Sequence, residues 1–253
     1  MELSVFQASL VYGFFIAGAT SLGSVASLAL RKASFKWLDF GLGFAAGIMI
    51  VTSFLSLIVP TISEGLYMDM GIGIGLGIAV IVLLDALLPH EHTVLGYEGP
   101  VALRARVRKS WLVALAIVIH NFPEGLAVGV ATAFSPATGL STALAIGVQD
   151  VPEGFAVSMP LVLAERKKLK ALLVGVLSGL TETVMCVAGA LLFSIARALL
   201  GIGMGFAAGA MIYVVVEEIL PEVMHEKAGN RKLATLGFIL GLYTMLYLET
   251  LVS

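Results

Sequence analysis

Two short stretches in the middle of the chain place metal-ligating side chains four residues apart around a proline. The first is His120-Asn121-Phe122-Pro123-Glu124-Gly125 and the second is Gln149-Asp150-Val151-Pro152-Glu153-Gly154. On a helix, residues i and i+4 lie one above the other. His120 and Glu124 therefore share a face, as do Gln149 and Glu153. Asn121 and Asp150 stand one position further round, about 100° away, where they can serve a neighbouring second ion. Glu182 adds a further acid within a later apolar run. One imidazole among carboxylates and amides suits Zn²⁺ and similar borderline cations better than a thiolate-rich set would. Cd²⁺, Mn²⁺ and Fe²⁺ are further candidates, and nothing implies an organic cofactor.

The elements that must position these residues are long apolar runs. The chain has 253 residues, 59% hydrophobic and 13% charged, whereas a soluble domain carries about 25% charged residues. About 20 apolar residues cross a bilayer core. Eight runs meet that length, at roughly 7–30, 38–60, 70–89, 111–134, 140–163, 169–196, 199–220 and 233–252. The expected fold is all-α, one polytopic bundle of eight transmembrane helices over 1–253, with a cytoplasmic loop at 90–110. The two stretches then fall near mid-membrane. An acid at a helix centre costs about 3 kcal/mol on the mildest scale, so Glu124, Asp150, Glu153 and Glu182 would together cost on the order of 10 kcal/mol facing lipid. No basic partner lies at that depth. Four carboxylates balance two divalent cations, which makes a binuclear site plausible by charge alone. Pro123 and Pro152 cannot donate to the carbonyls of Ile119 and Val148, and the freed backbone is tolerated where it faces protein or a wet cavity. Gly125 and Gly154 allow close helix approach.

Orientation follows from the basic residues. Fourteen of the 15 Lys and Arg fall in alternate loops, and the opposite loops hold only Arg197. Lys and Arg stay on the cytoplasmic side, so both termini are expected outside. Short loops point to a prokaryotic inner membrane. Two internal matches add a repeat. Gly43-Phe44-Ala45-Ala46-Gly47 recurs as Gly205-Phe206-Ala207-Ala208-Gly209, on spans running in opposite directions. The His120 and Gln149 stretches also match each other on antiparallel spans. Inverted repeats of this kind are a frequent transporter plan, here with three outer spans, a central pair, and three outer spans.

Other classes fit poorly. There is no basic stripe for nucleic acid, and the single cysteine, Cys186, cannot form an intramolecular disulfide. The first run lacks a basic leader and is read as a span rather than a signal peptide. A zinc protease would need two His four apart around a Glu, and His90-Glu91-His92 has the wrong spacing, so enzyme activity is not expected. Membrane lipid is an expected partner, and a homodimer is left open.

At these residues the sequence strongly resembles the ZIP (Zrt/Irt-like) metal transporters, and within them the GufA-like branch. The resemblance covers essentially the whole chain and rests on the HNxPEG and QDxPEG motifs. It implies a 3+2+3 bundle that imports zinc or related ions toward the cytoplasm by alternating access. It implies a primary site at His120, Glu124, Gln149 and Glu153. A second ion would sit at Asn121, Asp150 and Glu182, with Glu124 and Glu153 bridging. Met49 matches a family position for a soft ligand, and Ser56 a polar position on the outer path. Glu64 would attract cations at the outer mouth. Glu217 and Glu218, where relatives carry His-Glu, would pass metal inward. His90 and His92 would accept exiting metal. Gln149 departs from the His of many relatives. A channel-like or exporting permease is the nearest rival.

Overall fold

The structure, a computed structural model, describes residues 3–29, 35–92, 96–98, 109–165, 168–224 and 230–252. Among these residues the chain forms eight long helical rods. Helix α1 is Val5–Ala29. Helix α2 begins as Phe35–Thr52, widens into a π-helical turn at Ser53–Ile58 and ends as Val59–Ser63. Helix α3 is Tyr67–Leu87, α4 Lys109–Phe134, α5 Pro136–Glu165 and α6 Lys168–Ile195. Helix α7 begins as Leu200–Tyr213, passes through a π turn at Val214–Ile219 and ends as Leu220–Met224. Helix α8 is Arg231–Val252. The all-α reading holds, with one small addition. Strands β1 (His90–His92) and β2 (Gly96–Glu98) pair antiparallel as a short hairpin inside the 90–110 loop. The side chains of His90 and His92 lie outside those described.

Six of the rods (α1, α2, α3, α6, α7 and α8) are long and apolar enough to cross a membrane. Helices α4 and α5, with 26 and 30 residues, reach about 39 and 45 Å at 1.5 Å per residue. Both lengths exceed the roughly 30 Å hydrocarbon thickness.

The inverted repeat is visible in how the rods pair. Gly43 and Gly47 of α2 lie against the main chain of α8 at Ala234 and Phe238, while Gly205 and Gly209 of α7 lie against α3 at Met70 and Ile74. The α2/α8 seam is thus the image of the α7/α3 seam. Likewise Gly154 of α5 meets Thr20 of α1, and Gly125 of α4 meets Glu182 of α6. The repeats therefore interleave in space. One four-helix group is α1, α4, α5 and α6, and the other is α2, α3, α7 and α8. Small residues at such seams let backbones approach where no hydrophobic force between helices exists.

The two π turns are a second mark of the repeat. Each is followed, two residues past its end, by a proline, Pro60 or Pro221. Proline has no N–H to give the ladder. Just before it the ladder re-registers: the Val59 N–H donates to the Phe54 carbonyl, and the Leu220 N–H to the Val215 carbonyl. The π turns are alike although their side chains differ. Turns of this kind are often found at functional sites.

Candidate metal centre

The site is built where α4, α5 and α6 converge inside the first four-helix group. Helix α4 supplies His120, Asn121 and Glu124, α5 supplies Gln149, Asp150 and Glu153, and α6 supplies Glu182. All seven are buried, none more than 8% exposed. One carboxylate oxygen from each of Glu124, Asp150 and Glu153 lies within 4.8 Å of the others. Convergence of the helices, rather than the angular spacing on one of them, decides this grouping. The Asp150 carboxylate, expected beside a second ion, stands with those of Glu124 and Glu153.

Hydrogen bonds fix the surrounding groups. Gln149 Nε2 donates to Glu124 Oε1 at 2.6 Å. Asn121 Nδ2 donates to Glu182 Oε1 and to Ser178 Oγ, the latter at 3.0 Å. Thr20 of α1 reaches both oxygens of Glu182, at 3.0 and 3.1 Å. In contrast, both oxygens of Asp150, Glu124 Oε2, Glu153 Oε1, Gln149 Oε1 and Asn121 Oδ1 are buried with no hydrogen-bond partner. An unpaired buried acceptor forfeits its hydration, and a buried charge far more. Six such oxygens in one place make a donor set suited to a cation. The described Lys and Arg side chains stand at helix ends, so none of them serves this purpose.

His120 also reaches the second four-helix group. Its Nε2 pairs with Glu218 Oε2 on α7, and Glu153 and Asp85 are the next acids whose charges act on the ring. His120 thus links the acidic trio to the second four-helix group. The adjacent acids at 217 and 218 separate: Glu218 is buried against His120, and Glu217 is exposed. Met49 is fully buried in the apolar cluster that includes Leu126 and Ala127 of α4. Ser56 is buried and donates to Glu249 Oε2 at 3.3 Å, and Ser141 donates to the same oxygen. Glu64 is exposed at the end of α2.

Four residues escaped the sequence reading: Thr20, Asp85, Ser178 and Glu249. Asp85 carried a signal, an acid inside an apolar run. Thr20 and Ser178 carried none by type, since hydroxyls are common in packed membrane helices. Glu249 sits near a chain end, where an acid is unremarkable.

Known proteins match most of the chain. Residues 88–249 match the family model described as ZIP Zinc transporter. The zinc transporter ZIPB of Bordetella bronchiseptica is 40% identical over 242 residues, covering 92% of this chain and 77% of that protein. The zinc transporter ZupT of Stenotrophomonas maltophilia is 34% identical over 242 residues, covering 90% and 89%. The zinc transporter GufA of Myxococcus xanthus is 40% identical over 164 residues, covering 64% and 63%. With its apolar helices and a match of this breadth, the chain is an integral membrane protein and belongs to the ZIP zinc transporter family.

Proposed function

We propose that the protein carries Zn²⁺, and related divalent cations, across the membrane toward the cytoplasm by alternating access. The observation that carries this reading is the set of six buried oxygens without donors around Glu124, Asp150 and Glu153. The names of the relatives favour zinc as the cargo. Glu124 and Glu153 are the bridging ligands between two ions. Gln149 completes the first position, with His120 beside it, and Asn121, Asp150 and Glu182 complete the second. Both termini face outward, because the basic loops belong on the cytoplasmic side of an inner membrane.

The packing suggests which parts move. Every residue of the centre lies on α4, α5 or α6, held to α1 by main-chain contacts. That group is the carrier, and α2, α3, α7 and α8 form the frame. The two groups meet through small or apolar contacts such as Gly41 against Pro152. Among the described residues they are also bridged by His120–Glu218 and Ser141–Glu249. Movement of the carrier breaks these bridges and exposes the centre to one side at a time. On release, Glu218 and Asp85 stand next to His120 and offer the ion its first acids beyond the centre.

The test is zinc uptake into proteoliposomes by the Glu124→Ala, Glu153→Ala double variant. Uptake should fall to the level of empty liposomes. Undiminished zinc flux would refute the site. Zinc efflux driven against its gradient by an imposed proton gradient would turn the reading into an exporter, and unsaturable flux into a channel.

A further inference from the structure

The α1 helix contributes a polar residue to the centre that the two motifs do not contain. Thr20 is fully buried. Its single hydroxyl has three acceptors in range: Glu182 Oε1 at 3.0 Å, Glu182 Oε2 at 3.1 Å and the Ile16 carbonyl at 3.2 Å. One proton serves one acceptor at a time. The carbonyl lies one turn back on the same helix, an ordinary resting place for a threonine proton. Glu182, by contrast, lies on another helix.

The repeat gives this contact a second meaning. Thr20 and Glu182 are 162 residues apart, the separation that also relates Gly43 to Gly205 and Gly13 to Gly175. Thr20 packs on Gly154 of one motif, and Glu182 packs on Gly125 of the other. Thr20 therefore occupies in the first repeat the place that Glu182 occupies in the second. Both face the centre from symmetry-related helices.

We propose that Thr20 is a further residue of the metal centre, acting as a two-position hydroxyl. In the arrangement seen here it donates to Glu182. When a cation binds beside Glu182, the hydroxyl turns, gives its proton to the Ile16 carbonyl and presents its oxygen to the ion. The spacing suits this role. Two oxygen ligands at about 2.1 Å from one ion and at right angles to each other are about 3.0 Å apart, close to the Thr20–Glu182 distances. The other atoms ready for that ion are Asn121 Oδ1 and the Asp150 oxygens, all buried and without partners. The second position is then an all-oxygen set with a neutral member from α1. It ties α1 to the ion as well as to α5 and α6.

This inference rests on the proposed function, and the test separates the two. Zinc chloride binding to the full-length purified protein is measured by calorimetry for the wild type, Thr20→Val and Thr20→Ser, with unfolding midpoints recorded in chelator and in zinc. Valine keeps the shape and removes the oxygen. The weaker of two zinc sites should lose about tenfold in affinity in Thr20→Val and stay within about twofold in Thr20→Ser. The zinc-induced rise in the unfolding midpoint should shrink in Thr20→Val. Two wild-type affinities in Thr20→Val overturn the assignment, as does an equal drop of its metal-free and zinc-loaded midpoints, which marks a packing role. A wild-type protein that binds no zinc overturns the proposed function itself.

Discussion

Replacing Glu124 with glutamine should move the metal-free and the zinc-loaded protein in opposite directions. The substitution keeps the volume, and the new amide can turn its oxygen to the Gln149 donor that Glu124 uses. What it removes is charge. Glu124 has an oxygen within 4.8 Å of oxygens from both Asp150 and Glu153. At an effective dielectric of about 20, unit charges at that separation repel by about 3.5 kcal/mol. Two such pairs disappear. Small shifts of the side chains already relieve most of this in the metal-free protein, which leaves a gain of about 1–2 kcal/mol. For a chain of this size that raises the metal-free unfolding midpoint by about 2–8 °C. Zinc at a hundred times its Kd stabilises the unmodified protein by about 2.7 kcal/mol, or roughly 5–11 °C, and the variant should lose most of that increment. The assay is thermal unfolding in detergent followed by tryptophan fluorescence, first with chelator and then with zinc. A metal-free variant less stable than the parent, with the zinc increment intact, would refute the claim that these carboxylates are held together for a cation.

Two more outcomes follow from the packing. Gly154→Ala would drive its methyl into the Thr20 carbonyl, and Gly23→Ala would drive one into that of Val151. Each should cost about 1–3 kcal/mol, whereas Gly18→Ala and Gly75→Ala meet open space and should gain about 0.5–1 kcal/mol from helix propensity. Unfolding midpoints of the four variants check this ordering. Ser141→Ala deletes a donor to Glu249 that bridges the two four-helix groups, a contact worth about 1 kcal/mol. The state open at that end should become about fivefold more populated. Faster labelling of Thr142→Cys, placed in a Cys186→Ser background, would register the change.

Much of this molecule is legible from its sequence, because a bilayer allows few solutions. Uninterrupted apolar runs must be helices, so all eight rods were found, with ends misplaced by up to four residues, as where α5 begins at Pro136 rather than near 140. The motifs located the acids, since Glu124, Asp150 and Glu153 have no other place to hide their charge. The sequence was silent where the answer depends on distance between rods. It could not show that Asp150 meets both glutamates, or that the His120 ring pairs with Glu218. The π turns were also hidden. An unbroken α-helix puts Met49 and Ser56, or Met211 and Glu218, on one face seven residues apart, and the wider turn alters that phase. Glu217 and Glu218 looked alike as a pair of acids, and only the α7 backbone shows which of them turns inward.

The glycine of each PEG motif does more than permit packing. The chain has 28 glycines, and among the described residues only Gly65 needs a left-handed backbone, with φ 79°. Gly125 and Gly154 instead stand beside Glu124 and Glu153, and they decide how near α6 and α1 can come. A methyl at either position would overlap the main chain of its neighbour, Glu182 or Thr20, and push that helix outward. In the proposed centre the spacing of the ligand-bearing helices is therefore set by the two residues that have no side chain, and altered ion selectivity is the expected result of filling either one.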